Sequence, residues 1–172
     1  MKLDWQARLK HVENWHLVVQ ENVVHVGSPE RLLVLDEAPP RSGQKVLGGR
    51  AGRRLAELLG FENREELLEN VDAFNLLPAW PGKTKTGKVL FPMRSAKREW
   101  NCLRFEASSI IFLDRVAKMS GLGTLTEVKT HSLRFLGLPN LGERWWYTDN
   151  VDRACKVLKP WAVFAHTGRW PR

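Results

Sequence analysis

A four-residue apolar run, Leu32-Leu33-Val34-Leu35, breaks at Asp36-Glu37 and passes through a proline-stopped, glycine-rich connection into a second apolar-periodic segment. A short apolar run bounded by turn residues suits a strand covered on both faces of a parallel sheet. Asp36 and Glu37 fall at the carboxyl end of that strand, where open α/β sheets bind their ligands. Pro39 and Pro40 end the strand, while Gly43, Gly48, Gly49 and Gly52 permit tight turning and close approach of the backbone to a ligand. A helix from about Ala51 to Leu59 would then aim free N–H groups at an anion. The same pattern also fits an ordinary strand-to-helix connection with an acidic edge.

Strands are expected near 31–36, 71–77, 109–113 and 132–137, and helices near 50–59, 63–70, 115–120 and 150–158. Their alternation predicts a three-layer α/β/α sandwich around a central, mainly parallel four-stranded sheet. Met1 to Val12 reads as an amphipathic helix, and Trp15 to Val26 mixes strand and helix signals. The 172 residues suit one domain, which at this size buries about 70% of the surface its unfolded chain exposes. Neither a leader nor an apolar run approaching ~18 residues is present, and two cysteines without C-x-x-C spacing fit a reducing compartment. A cytoplasmic monomer without metal or cofactor is the expectation. His11, His16, His25 and His131 show no metal-ligand spacing.

The formal charge of +8 favours a polyanionic partner, with nucleic acid first. Pro78 to Trp100, with Pro81, Gly82, Gly87 and Pro92, reads as an ordered surface excursion. Within it, Gly82-Lys-Thr-Lys-Thr-Gly87-Lys88-Val89 departs from a phosphate-cradling P-loop, which needs Ser or Thr where Val89 stands and a helix directly after it. On that ground a nucleotide triphosphatase is rejected. Lys83, Lys85, Lys88, Arg94, Lys97 and Arg98 alternate with Trp80, Phe91 and Trp100, a mixture that can hold a phosphate backbone and stack on exposed bases. Alternatively the lysines are solvated and the aromatics anchor the loop.

Asp36-Glu37-Ala38-Pro39 followed by Gly49-Arg50-Ala51-Gly52-Arg53 resembles the G-E-A-P-G and G-R-A-G motifs of the uracil-DNA glycosylase superfamily. Val71 to Pro78, Ser109 to Ala117 and Leu138 to Asn150 follow in that superfamily's order. The resemblance spans about residues 30–158 of a single domain, 1–172, with 159–172 as a C-terminal extension. It implies a DNA N-glycosylase. In that scheme Glu37, or failing it Asp36, is the catalytic carboxylate, and Asn140 stabilises the departing base anion. Ala38, Pro39, Leu47 and Asn75 surround the base, with Asn75 reading its edge. Arg50, Arg53, Lys83, Lys85, Lys88, Arg144 and Trp145 would contact DNA.

Several positions depart from the pattern. Asp36 and Pro40 replace glycines, Leu47 stands where the family has a stacking aromatic, and Asn140 stands where it has a histidine. The iron-sulfur cysteines of one branch are absent. The space that Leu47 leaves suggests a bulkier or modified base, in single- or double-stranded DNA. Two alternatives share the crevice: a non-catalytic nucleic-acid-binding member and an enzyme acting on free nucleosides or nucleotides. Arg144 or Trp145 could fill the gap left by an extruded base, or Trp145 and Trp146 could pack in the core. In the tail, Ala162 to Ala165 reads as an added strand, and His166 could substitute for the missing imidazole if the tail folds back.

Overall fold

The computed structural model describes residues 23–39, 45–142, 146 and 150–172. Its elements run β1 (Val24–Val26), β2 (Leu33–Asp36), α1 (Gly49–Leu59), α2 (Arg64–Asn70), β3 (Asp72–Asn75), α3 (Met93–Cys102), β4 (Leu103–Phe105), β5 (Ser109–Leu113), α4 (Asp114–Met119), β6 (Glu127–Lys129), β7 (Arg134–Leu138) and α5 (Asn150–Thr167). The main sheet has the order β3-β2-β5-β7-β6. Its first four strands are parallel, and β6 runs antiparallel to β7. β1 and β4 form a separate parallel pair.

The period of two along β2 divides the core. Leu32 and Val34 join one cluster with Leu55 and Leu59 of α1 and Trp161 of α5, whereas Leu33 and Leu35 join another with Trp100 of α3 and Val116 of α4. All four of these strand-region leucines and valines are fully buried, as the unbroken apolar run requires of a strand covered on both faces. The fold is therefore α/β, with a mainly parallel sheet between helices. α2 is closed at its start by a reciprocal cap: the Asn63 side chain accepts from Glu66 N at 2.8 Å, and Glu66 Oε2 accepts from Glu62 N at 2.6 Å. Among the described residues, no helix is long and apolar enough to cross a membrane.

Four expectations need correction. The sheet has five strands, because β6, Glu127-Val128-Lys129, is a charged edge strand with no apolar run to signal it. Ala162 to Ala165 is helical rather than a strand. α5 continues through Pro160 to Thr167 because Ala154, Leu158, Trp161, Phe164 and Ala165 recur at helical spacing and are buried, and that packing outweighs the ladder bond the proline removes. The 78–100 excursion contains most of α3. β1 and β4 went unread as a pair. The Met1–Val12 helix and most of the Trp15–Val26 segment lie outside the described residues.

Candidate functional site

The carboxyl ends of β2, β5 and β7 converge on a crevice of about 180 Å³. β2 delivers Asp36, Glu37, Ala38 and Pro39, the turn after β5 delivers Leu113, Asp114 and Arg115, and Asn140 and Leu141 follow β7. Ala51 of α1 and Val89, at the end of the 82–90 loop, complete the wall. This is where parallel strands place ligands, since their ends leave a gap between diverging connections.

Glu37 is not free. Arg115 donates from Nη2 to Glu37 Oε2 at 2.6 Å, from Nε to Oε1 at 2.8 Å and from its backbone N to Oε1 at 3.0 Å. Burial pushes the Glu37 carboxyl up, against the pull of these Arg115 bonds. Asp114 takes a left-handed backbone, φ +43°, an uncommon conformation for a non-glycine residue and one often found at binding sites. Its carboxylate accepts from Asn140 Nδ2 at 3.3 Å, and Asn140 Oδ1 accepts from Gly142 N at 2.8 Å. Trp146 pins the same turn by donating from Nε1 to the Asn140 carbonyl at 2.9 Å.

Asp36 Oδ1 accepts from Glu37 N at 2.8 Å. Burial, reinforced by the nearby Glu37 and Asp114 carboxylates, raises its pKa to about 7 despite that bond. Between the ordinary carboxylate range and about 7, the folded protein therefore binds a proton that the unfolded chain has released. Stability contributed by neutral Asp36 is fully present below pH ~4, falls as pH rises toward 7, and is absent above it. Asp36→Asn should remove this slope, so that the variant melts higher than the parent at pH 8 and close to it at pH 4. Parallel melting curves at both pH values would contradict the assignment.

The other expected residues are placed unevenly. Ala38, Pro39, Asp36, Glu37 and Asn140 share the crevice. Asn75 stands in register beside Asp36 on β3, its Oδ1 buried and without a partner. Leu47 does not face a ligand. It is fully buried against the α1–α5 side of the core, so no base can stack on it. His166 is remote from the crevice, stacked on Phe61 at 4.0 Å and bonded to the Leu59 carbonyl. Trp146 is buried, Trp100 is buried, and Phe91 lies under the Arg115 guanidinium at 5.1 Å, so these aromatics anchor rather than stack on bases. Arg144 and Trp145 lie outside the described residues.

Arg50, Arg53, Arg54 and Glu57 of α1 border a groove of about 220 Å³ with Leu141 and Gly142, next to the crevice, so three guanidiniums face one carboxylate there. Arg50 and Arg53 are exposed. The near-P-loop segment is a hairpin: Lys83 bridges Val89, and Gly82 (φ +88°) and Gly87 (φ +81°) make its turns. Sequence reasoning missed Asp114, Arg115 and Arg54. The first two sit in a stretch read as an ordinary strand-to-helix junction. The available signal was a charged pair, Asp114-Arg115, directly after the fully apolar Ile110–Leu113 strand end.

No family model matches the chain, and no solved structure matches it. A protein of Thermus thermophilus named chromosome-partitioning ATPase Soj is 36% identical over 93 residues, which make up 54% of this chain and 36% of that protein. The chain thus spans little more than a third of that relative's length. The similarity to a protein named as an ATPase overturns the expected DNA N-glycosylase and also goes against the rejection of a nucleotide triphosphatase that the 82–89 motif had suggested. The geometry agrees with that correction, since Glu37, the expected catalytic carboxylate, is held at both oxygens by Arg115, and Leu47, expected beside the base, is in the core.

Proposed function

We propose that the crevice binds a nucleotide, with base and sugar over the floor and phosphate on Arg50 and Arg53 of α1, and that this nucleotide belongs to a nucleic-acid strand. The separation of charge carries the reading. The floor holds three carboxyl groups, Asp36, Glu37 and Asp114, against the single guanidinium of Arg115, which Glu37 already occupies. A phosphate placed there would meet net negative charge in a partly desolvated cleft, whereas Arg50 and Arg53 lie at its edge with exposed side chains. Polar edges and ring N–H groups suit the floor, because Asp36, Asp114 and Asn140 offer acceptors and an amide to them. The overall charge of +8 favours a strand over a lone nucleotide.

The arrangement of a mainly parallel sheet between helices is compatible with kinship to the uracil-DNA glycosylase superfamily as a sandwich fold, and we extend the proposal to that kinship without base-release chemistry. A second reading, a free nucleoside triphosphate, is favoured by the partial similarity to the ATPase of Thermus thermophilus. The hairpin at 82–90 does not supply its phosphate cradle, since it leads into an extended Leu90-Phe91-Pro92 segment before α3 begins.

Fluorescence anisotropy with labelled single- and double-stranded oligonucleotides, competed by ATP, separates the two. Oligonucleotide binding that weakens about tenfold in Arg50→Ala/Arg53→Ala is expected, as loss of two exposed phosphate contacts removes about 1.4 kcal/mol. No binding at low salt, or binding indifferent to both arginines, would refute the proposal. Tight ATP binding with hydrolysis and no oligonucleotide binding would select the second reading.

A further inference from the structure

The crevice has a second basic bank that the proposed function does not use. Opposite Ala51 of α1, its wall is Val89, the last bridging residue of the Gly82–Leu90 hairpin. The hairpin is locally well made: Leu90 N donates to the Gly82 carbonyl at 2.9 Å, Thr84 N to Lys88 O at 2.8 Å, and Gly87 N to Thr84 O at 3.0 Å. It carries three exposed lysines, Lys83, Lys85 and Lys88. None of them forms an ion pair among the described residues. Beside them Val89, Leu90 and Met93 are 39%, 40% and 45% exposed, an apolar strip adjoining the cations.

The hairpin is also tied to the floor. Arg115 donates from Nη1 to the Val89 carbonyl at 2.9 Å while its other donors hold Glu37, and its guanidinium lies over Phe91. One side chain thus fixes the position of the lysine arm relative to the carboxylates. The resulting charge pattern is basic, acidic, basic: Arg50 and Arg53 on α1, the Asp36–Glu37–Asp114 floor, and the lysines of the hairpin.

We propose that the hairpin is a backbone-binding arm, and that a nucleic-acid strand crosses the crevice with phosphates on both banks and one nucleotide over the floor. Charge complementarity selects this occupant. A polyanion with regularly spaced charges can touch both banks and skip the acidic floor, whereas an acidic peptide has no base or sugar to fill it. The exposed Val89–Met93 strip offers apolar surface to sugars and base faces between phosphate contacts. Arg115 is the positioning residue that keeps the arm at the rim. The inference rests on the strand-binding reading given above.

The test is the salt dependence of oligonucleotide affinity for the whole chain. Lys83→Ala/Lys85→Ala/Lys88→Ala should reduce the slope of log K against log salt by about 2, because each phosphate contact on a single strand contributes about 0.7. Affinity at low salt should fall at least about tenfold. As a control of equal charge change, Lys129→Ala/Lys156→Ala/Lys159→Ala, on exposed positions outside both banks, should leave the slope near that of the parent. If the two triple variants behave alike, the hairpin acts only through net charge and the arm is refuted. A hairpin variant with the parent's slope refutes it too. Failure of the parent to bind any oligonucleotide would instead strike the strand-binding reading itself.

Discussion

Arg115→Ala is expected to lower stability by about 2–4 kcal/mol, seen as a fall of roughly 5–15 °C in melting temperature for a domain of this size. The Glu37 side chain is 13% exposed and receives three hydrogen bonds from Arg115. Truncating the arginine keeps the backbone bond and removes the two from the guanidinium, so a carboxylate is left buried beside Asp36 and Asp114 with little to balance it. Breaking a fully buried pair from one side costs about 3–5 kcal/mol, and the expected value is lower because Arg115 is 31% exposed and water can reach the vacated space. The variant also frees the Val89 carbonyl, so the hairpin should open to amide hydrogen exchange. Neutralising the stranded acid should recover much of the loss: Glu37→Gln/Arg115→Met is expected to melt above Arg115→Ala. A loss under about 1 kcal/mol would mean that solvent already screens the pair as it does at an open surface.

The same pair shows what a sequence can and cannot convey about this molecule. Leu32 to Leu35 is an unbroken apolar run because β2 has protein on both faces, and that run, with the alternation of strands and helices after it, pointed to a parallel sheet and to a site at Asp36 and Glu37. β5, Ser109–Leu113, was legible for the same reason. β6 and β4 were not, since short strands at an edge or in a two-stranded pair carry no periodic burial to reveal them. α5 was expected only near 150–158, with an added strand at Ala162 to Ala165, because a short apolar run does not tell a strand from a buried helix segment until the burial of Trp161 and Phe164 is seen. Arg115 could not be assigned at all: it is 78 residues from Glu37, and an ion pair at that separation exists only once β2 and β5 are neighbours.

Gly52 illustrates the converse case, a residue whose type was noticed and whose reason was different. The glycines from Gly43 to Gly52, in the connection and the start of α1, suggested close approach of the backbone to a ligand, yet at Gly52 the close approach is to the chain itself. A Cβ there would lie 2.1 Å from the Leu47 carbonyl oxygen and 2.9 Å from Cδ of Arg64. Leu47 has little freedom to retreat. Its backbone is left-handed at φ +52°, its side chain is fully buried, and Arg64 holds its carbonyl from Nε at 2.8 Å and that of Val46 from Nη2 at 2.7 Å.

Gly52→Ala is therefore expected to destabilise by about 2–4 kcal/mol, although alanine in a helix interior is favoured over glycine by about 1 kcal/mol. The opposed signs make the experiment decisive: a variant that melts higher than the parent would show that the loop yields and that helix propensity governs the position. Gly49 is the comparison. Nothing lies within 4 Å of a Cβ built there, and only its φ of +62° disfavours a side chain, so Gly49→Ala should cost about 1 kcal/mol. The larger effect at Gly52 should reach the candidate site as well, because displacing Leu47 shifts the segment that leads into α1 and carries Arg50 and Arg53 with it. Oligonucleotide affinity should then fall in Gly52→Ala at temperatures where the variant is still folded, while in Gly49→Ala any loss of affinity should be no greater than its smaller backbone strain implies.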